Sequence, residues 1–178
     1  MIAGANAVIW VKQDGRGNDA CRFAQAEGGY LVEGSSTDAE WNTLRYRMRA
    51  RGDGTTRRVR IGAKSRILVR RAKDDTWTLN GTPVPAVSGA KDIYLSFTPA
   101  ALTLPIRRLR LNVGDEAEVL VAKLDVETEQ LVPLKLVFRR ISNKKYEILN
   151  VEDGTTAQIK VDAQGIIREY AGHWSAQI

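Results

Sequence analysis

The segment Leu44-Arg45-Tyr46-Arg47-Met48-Arg49-Ala50-Arg51 is apolar at each even position and cationic at each odd one. A period of two puts every arginine on one face of an extended strand and every apolar side chain on the other. A helix would scatter the arginines around its surface. The same period recurs along the chain. Ile93, Leu95 and Phe97 alternate with Asp92, Tyr94, Ser96 and Thr98; Leu134, Leu136 and Phe138 alternate with Lys135, Val137 and Arg139; Ala157, Ile159 and Val161 alternate with Gln158, Lys160 and Asp162. Each reads as a half-buried antiparallel strand.

Turn chemistry falls between these runs at Asp53-Gly54, Asn80-Gly81, Gly114-Asp115, Asp153-Gly154 and Gln164-Gly165, so neighbours along the chain should be neighbours in the sheet. The best helical candidate, Ala117–Lys123, has enough β-branched content to fit a strand at least as well. A short helical turn fits Asp38–Asn42. A sheet of more than about ten strands must curl, close or split. The sequence therefore predicts one all-β domain over residues 1–178: a long antiparallel meander sheet rolled into a spiral β-roll or half-open barrel, with little helix. Curling creates a concave side; alternation alone leaves it either filled by its own side chains or open to a ligand, and the expectation is a mostly apolar groove or cavity there.

Composition narrows the chemistry. With one cysteine, Cys21, and one histidine, His173, the chain has neither a disulfide framework nor a zinc ligand set. Met1–Asn6 carries no basic head or apolar run, and no stretch approaches the roughly 18 apolar residues of a transmembrane helix, so a reduced, cytoplasmic location is expected. Net charge is +6, and residues 45–73 hold their many cations against Asp53 alone. Three readings of that stretch stand: a solvated face, contact with anionic lipid or sugar-phosphate through Arg45, Arg47 and Arg49, or nucleic-acid binding across 45–71. Nucleic-acid modules interleave exposed aromatics with their cations; Tyr46 alternates with the arginines and so points away from them, and Trp41 shares parity with Arg45 only if the strand extends to 41.

Nothing in the chain has the pattern of a nucleophile elbow or a phosphate loop. The carboxylate pairs Asp74-Asp75, Asp115-Glu116 and Glu152-Asp153 lie in turn-like contexts, where acids serve backbone hydrogen bonding. No catalytic residue, metal or cofactor is predicted.

The run Phe97–Leu111 holds Pro99 and Pro105 and reads as a Pro-bounded connection between two strands, with Arg107 and Arg108 at the start of the second. Adjacent strand residues face opposite ways, so one of the two should point inward and meet a carboxylate such as Asp92 or an anionic ligand group. Asp92-Ile93-Tyr94-Leu95-Ser96-Phe97-Thr98-Pro99 followed by Leu104-Pro105-Ile106-Arg107-Arg108-Leu109 resembles the signature of the bacterial "Putative glycolipid-binding" family, once known as a domain of unknown function. Trp10, Cys21-Arg22-Phe23, the Arg-rich strand at 44–51, Trp77, Asp162-Ala163-Gln164-Gly165, Tyr170 and Trp174 extend the resemblance over nearly the whole length. Tyr94 departs from it where a second acid is usual, and Leu102 where an Asn is usual.

The resemblance implies a spiral sheet similar to lipoprotein carriers and noncatalytic binding of an amphipathic small molecule, a glycolipid or fatty-acyl compound. Leu95, Phe97, Leu109, Leu111, Leu136 and Phe138 would hold its acyl part. Arg107 or Arg108, with Asp92 and with Trp77 near the rim, would hold its head. Two alternatives remain beside it: a nucleic-acid-binding protein, and a hydrolase or isomerase of a lipid-like substrate in which two titratable groups, for example Asp92 and His173, converge.

Overall fold

The structure is a computed structural model that describes residues 5–62 and 66–177. Its first eight strands are β1 (Ala5–Lys12), β2 (Asn18–Ala26), β3 (Gly29–Thr37), β4 (Thr43–Arg51), β5 (Thr56–Gly62), β6 (Arg66–Arg71), β7 (Trp77–Leu79) and β8 (Thr82–Pro83). A 3-10 turn, Pro85–Val87, leads to β9 (Asp92–Leu95) and helix α1 (Ala100–Leu109). The remaining strands are β10 (Glu116–Asp125), β11 (Gln130–Ser142), β12 (Lys145–Asn150), β13 (Thr156–Val161), β14 (Ile167–Tyr170) and β15 (Trp174–Gln177). All join one 15-stranded sheet that is not closed, running from edge strand β8 back to β1, across to β15, and back again to edge strand β9. Two meanders are thus joined by the first and last strands, with Ile9 facing Gln177 and Lys12 facing Trp174.

The expected alternation is present in β4, where Tyr46, Met48 and Ala50 are buried and Arg45, Arg47 and Arg49 are exposed. Gly54, Gly81, Gly114, Gly154 and Gly165 all take positive φ in the turns that the sequence marks. Ala117–Lys123 lies within β10.

Two expectations need correction. The run Phe97–Leu111 is not a strand-turn-strand: β9 ends at Leu95, and residues 100–109 form α1, with Pro105 inside it. Residues 100–106 are all buried, so the segment crosses the interior with no water to satisfy its peptide groups. A helix satisfies them internally; a lone extended segment there would not. Pro99 starts α1 with a backbone already helical, and Thr98 Oγ1 accepts the Ala100 N–H at 3.0 Å. The second correction concerns the concave side. It is occupied by α1, which shares one apolar core with Leu95, Leu111, Leu136 and Phe138. Because α1 carries the chain from β9 to β10, those two strands run parallel, the one exception to the antiparallel meander among the described residues.

Both ends of α1 are tied down. Before its N-terminus, Thr98 Oγ1 donates to the buried Asp19 carboxylate, Tyr46 Oη donates to the same group at 2.9 and 3.1 Å, and Ser36 Oγ donates to Phe97 O at 2.8 Å. Burial pushes the Asp19 carboxyl up to about 6, against the pull of the Thr98 and Tyr46 hydroxyls. Burial also raises the Cys21 thiol and the Tyr46 phenol.

Candidate functional site

The last turn of α1 leaves the core. Arg107, Arg108 and Leu109 are half-buried, and Arg110 ends the helix in the left-handed region with φ 49°. Arginines suit this end, where unpaired carbonyls carry partial negative charge. Two glycines let the sheet close on it. A Cβ on Gly54, in the β4–β5 hairpin, would sit 3.2 Å from Arg108 Cβ; one on Gly165, in the β13–β14 turn, would sit 3.0 Å from Arg107 Cγ.

Around this helix end lies a cavity of about 750 Å³. Its base includes Leu104, Ile106, Leu111 and Val161, and its walls carry Tyr30, Tyr146 and four arginines, Arg107, Arg108, Arg110 and Arg140. Arg107 donates to Gln164 O and lies 5.9 Å from the Tyr30 ring. Arg140 donates to Leu111 O at 2.6 Å and Asn143 O at 3.2 Å, and stacks on Tyr146 at 5.7 Å. Carbonyls and ring faces orient these cations without cancelling them. Among the described residues no carboxylate pairs with Arg107, Arg110 or Arg140. The two acids that line the cavity are engaged elsewhere: Asp162 holds Arg168 at 2.8 Å, and Asp53 accepts from Thr55 N–H at 2.9 Å.

Arg108 is the inward arginine. Its Nη2 reaches Asp92 Oδ2 at 2.5 Å, and the Asp92 side chain is 1% exposed. Burial raises the Asp92 pKa, and Arg108 works against that rise. The pairing expected of one member of the doublet therefore forms, made by a helix end rather than a strand.

The structure brings Arg107 and Arg108 to the cavity, whereas Asp92 does not line it and is buried against Arg108. Leu109 is half-buried in the same last turn but does not line the cavity, whereas Phe97 lies at the opposite end of α1, edge-on to Tyr46 at 5.8 Å. Trp77 is elsewhere, buried, with Nε1 donating to Ala90 O at 3.0 Å, and lines a separate cavity of about 220 Å³ with Pro83 and Pro85. Asp92 and His173 are not neighbours in any contact here: Asp92 sits against Arg108, and His173 is exposed against Tyr170. Sequence reasoning missed Arg110, Arg140, Tyr30 and Tyr146, which reach the cavity from separate elements. It also missed Asp19, whose shared parity with the buried Cys21 and Phe23 was the available signal.

A family model described as "Putative glycolipid-binding" matches residues 7–176. The fold is similar to the crystal structure, at 1.80 Å, of a DUF1089 family protein from Pseudomonas aeruginosa, with a TM-score of 0.69 over 98% of this chain and 93% of that one. The two sequences are 21% identical, so the likeness speaks for the fold alone. No curated protein matches the chain. With nearly its whole length inside the family model, the chain belongs to the "Putative glycolipid-binding" family.

Proposed function

We propose that the protein binds, without converting it, an amphiphile whose anionic head seats among the arginines at the C-terminal end of α1. The supporting observation is the convergence of Arg107, Arg110 and Arg140, none paired with a carboxylate among the described residues, in one cavity with an apolar base. Its volume suits a sugar- or phosphate-sized group. Tyr30, half-buried beside Arg107, adds aromatic surface to the lining, while Tyr146 is buried against Arg140 and helps hold that cation in place. The family's description supports a glycolipid as ligand. The acyl part stays outside the roll in this reading, because Leu95, Leu136 and Phe138 are buried in one core with the α1 side chains. A reducing, cytoplasmic setting suits the single buried thiol of Cys21, and Arg45, Arg47 and Arg49 offer a separate contact with an anionic surface.

Isothermal titration with alkyl glucuronide, alkyl phosphate and alkyl glucoside below their micelle concentrations tests it. The two anionic amphiphiles should bind at least tenfold more tightly than the neutral glucoside, and their ranking separates an acidic sugar from a simple phosphate head. Arg107→Ser with Arg140→Ser should abolish the preference. Equal binding of all three, or no effect of the double substitution, overturns the proposal.

A further inference from the structure

The outward arginines of β4 continue across two more strands. Arg47 faces Arg60, Arg49 faces Arg58, and Arg58 in turn faces Arg70. The residues between them, Met48, Val59, Ile61 and Val69, are fully buried, so these arginines leave from the outer face of β4–β6. Opposed residues on neighbouring strands stand about 5 Å apart, and successive outward residues on one strand about 7 Å apart. The result is a two-dimensional grid of guanidinium groups. Among the described residues Glu33 pairs with Arg47 at 3.3 Å and with Arg22 at 2.5 Å. Among the described residues Arg45, Arg49, Arg60 and Arg70 have no acidic partner.

Like charges placed directly opposite weaken a sheet. Arginine facing arginine across these strands concentrates positive charge on one surface, which a dense layer of anions would complement. The face also carries a broad depression of about 1100 Å³, lined in part by Arg57, Arg58, Arg70 and Lys73.

We propose that the outer face of β4–β6 docks on an anionic lipid bilayer. Nucleic acid fits the grid less well. Three strands span about 10 Å between outer backbones before their side chains are added, which is too broad to enter a major groove about 12 Å wide. Single strands are held by rows of exposed aromatic platforms; Tyr46 is buried on the inner face, and the exposed Trp41 lies in the β3–β4 turn, beside Val11 and Arg16 rather than among the arginines of β4–β6. A bilayer presents anions in a plane, and the grid is planar in extent rather than linear.

The docking face and the arginine cavity share a wall. The β4–β5 hairpin places Gly52, Asp53 and Gly54 on the cavity, while Arg51 and Arg57, which flank it, line the outer depression. A protein lying on β4–β6 brings the cavity to within one hairpin's thickness of the lipid headgroups. That last step, collection of an amphiphile whose tail remains in the bilayer, rests on the proposed role of the cavity; the docking itself does not.

Co-sedimentation with vesicles tests it. The protein should pellet with phosphatidylcholine vesicles containing phosphatidylglycerol, should not pellet with pure phosphatidylcholine, and should release as salt rises. Arg45→Ser, Arg49→Ser and Arg70→Ser together should lower binding at least tenfold, with an unchanged or higher urea midpoint showing that the variant is folded. Arg16→Ser, Lys135→Ser and Lys145→Ser together, which remove equal charge elsewhere, should lower it less than threefold. Equal losses in the two triple variants, no binding to anionic vesicles, or tighter binding to a DNA or RNA oligonucleotide with the same sensitivity would each overturn the proposal. Arg107→Ser with Arg140→Ser should leave vesicle binding intact, so failure of the cavity reading and failure of the docking reading give different results.

Discussion

Replacing Arg108 by Met should destabilise the protein by about 3–5 kcal/mol near neutral pH, the cost of leaving a buried charge without its partner. Asp92 is 1% exposed on its side chain and receives Arg108 Nη2 at 2.5 Å and Nε at 3.4 Å. Methionine retains most of the aliphatic stem, so the change removes the counter-charge more than the packing. Burial, the largest influence on Asp92, pushes its pKa up, and Arg108 pulls it down. Without Arg108 the carboxyl rises further. An acid with a raised folded-state pKa binds more protons folded than unfolded, so its contribution to stability falls as pH climbs from the unfolded value of about 3.9 toward the folded one. The deficit of Arg108→Met should therefore be greatest at neutral pH and shrink toward pH about 4. Adding Asp92→Asn removes the stranded charge, and the double variant should regain most of the loss. Urea unfolding of the wild type, both single variants and the double variant, at acid and neutral pH, supplies the whole cycle. A loss below about 1 kcal/mol for Arg108→Met, the size of an exposed pair, would refute the reasoning, as would a double variant no more stable than Arg108→Met.

Asp19 titrates near pH 6 in the fold. A rise of about two pH units above the unfolded value, at 1.36 kcal/mol each, means that wild-type stability loses roughly 3 kcal/mol relative to Asp19→Asn between pH 4 and 7; parallel pH profiles for the two proteins would exclude this. Thr103 Oγ1 is buried in α1 with no hydrogen-bond partner among the described residues, so Thr103→Val should raise stability by about 1 kcal/mol, read as a higher urea midpoint at unchanged slope. A Cβ on Gly34 would meet Tyr46 Cζ at 2.6 Å and Ala20 O at 2.7 Å. Gly34→Ala should cost about 1–3 kcal/mol and displace the Tyr46 hydroxyl from Asp19, visible as a changed tyrosine signal in the near-ultraviolet; an unaltered spectrum and midpoint would count against the packing described.

The strands were legible wherever one face meets water, because β4 has to alternate when Tyr46 and Met48 go inward and Arg45 and Arg47 outward. The turns were legible because Gly54, Gly81 and Gly165 stand where the backbone needs positive φ. Helix α1 was not. Residues 100–106 of it are all buried, so that stretch has no polar face to give a 3.6-residue period, and Pro105 looked like a breaker in a place where the surrounding sheet holds the helix together. Misreading α1 made the interior look hollow. The Arg108–Asp92 pair could still be anticipated, since an inward arginine beside a carboxylate in the same short stretch needs a partner whatever the secondary structure. Arg140 and Tyr146 could not, because what places them on the cavity is the pairing of β11 with β12 beside the end of α1, a relation between distant segments that no local pattern encodes.

The pairing of β1 with β15 sets an order on biosynthesis. Each half of the roll can pair strand by strand as it leaves the ribosome, mostly through hairpins, but the strand that seals the middle of the sheet is the last of the fifteen to be made. Until then β1 waits with an open edge, and that nascent edge is where a chaperone or a sister chain would find the protein most vulnerable.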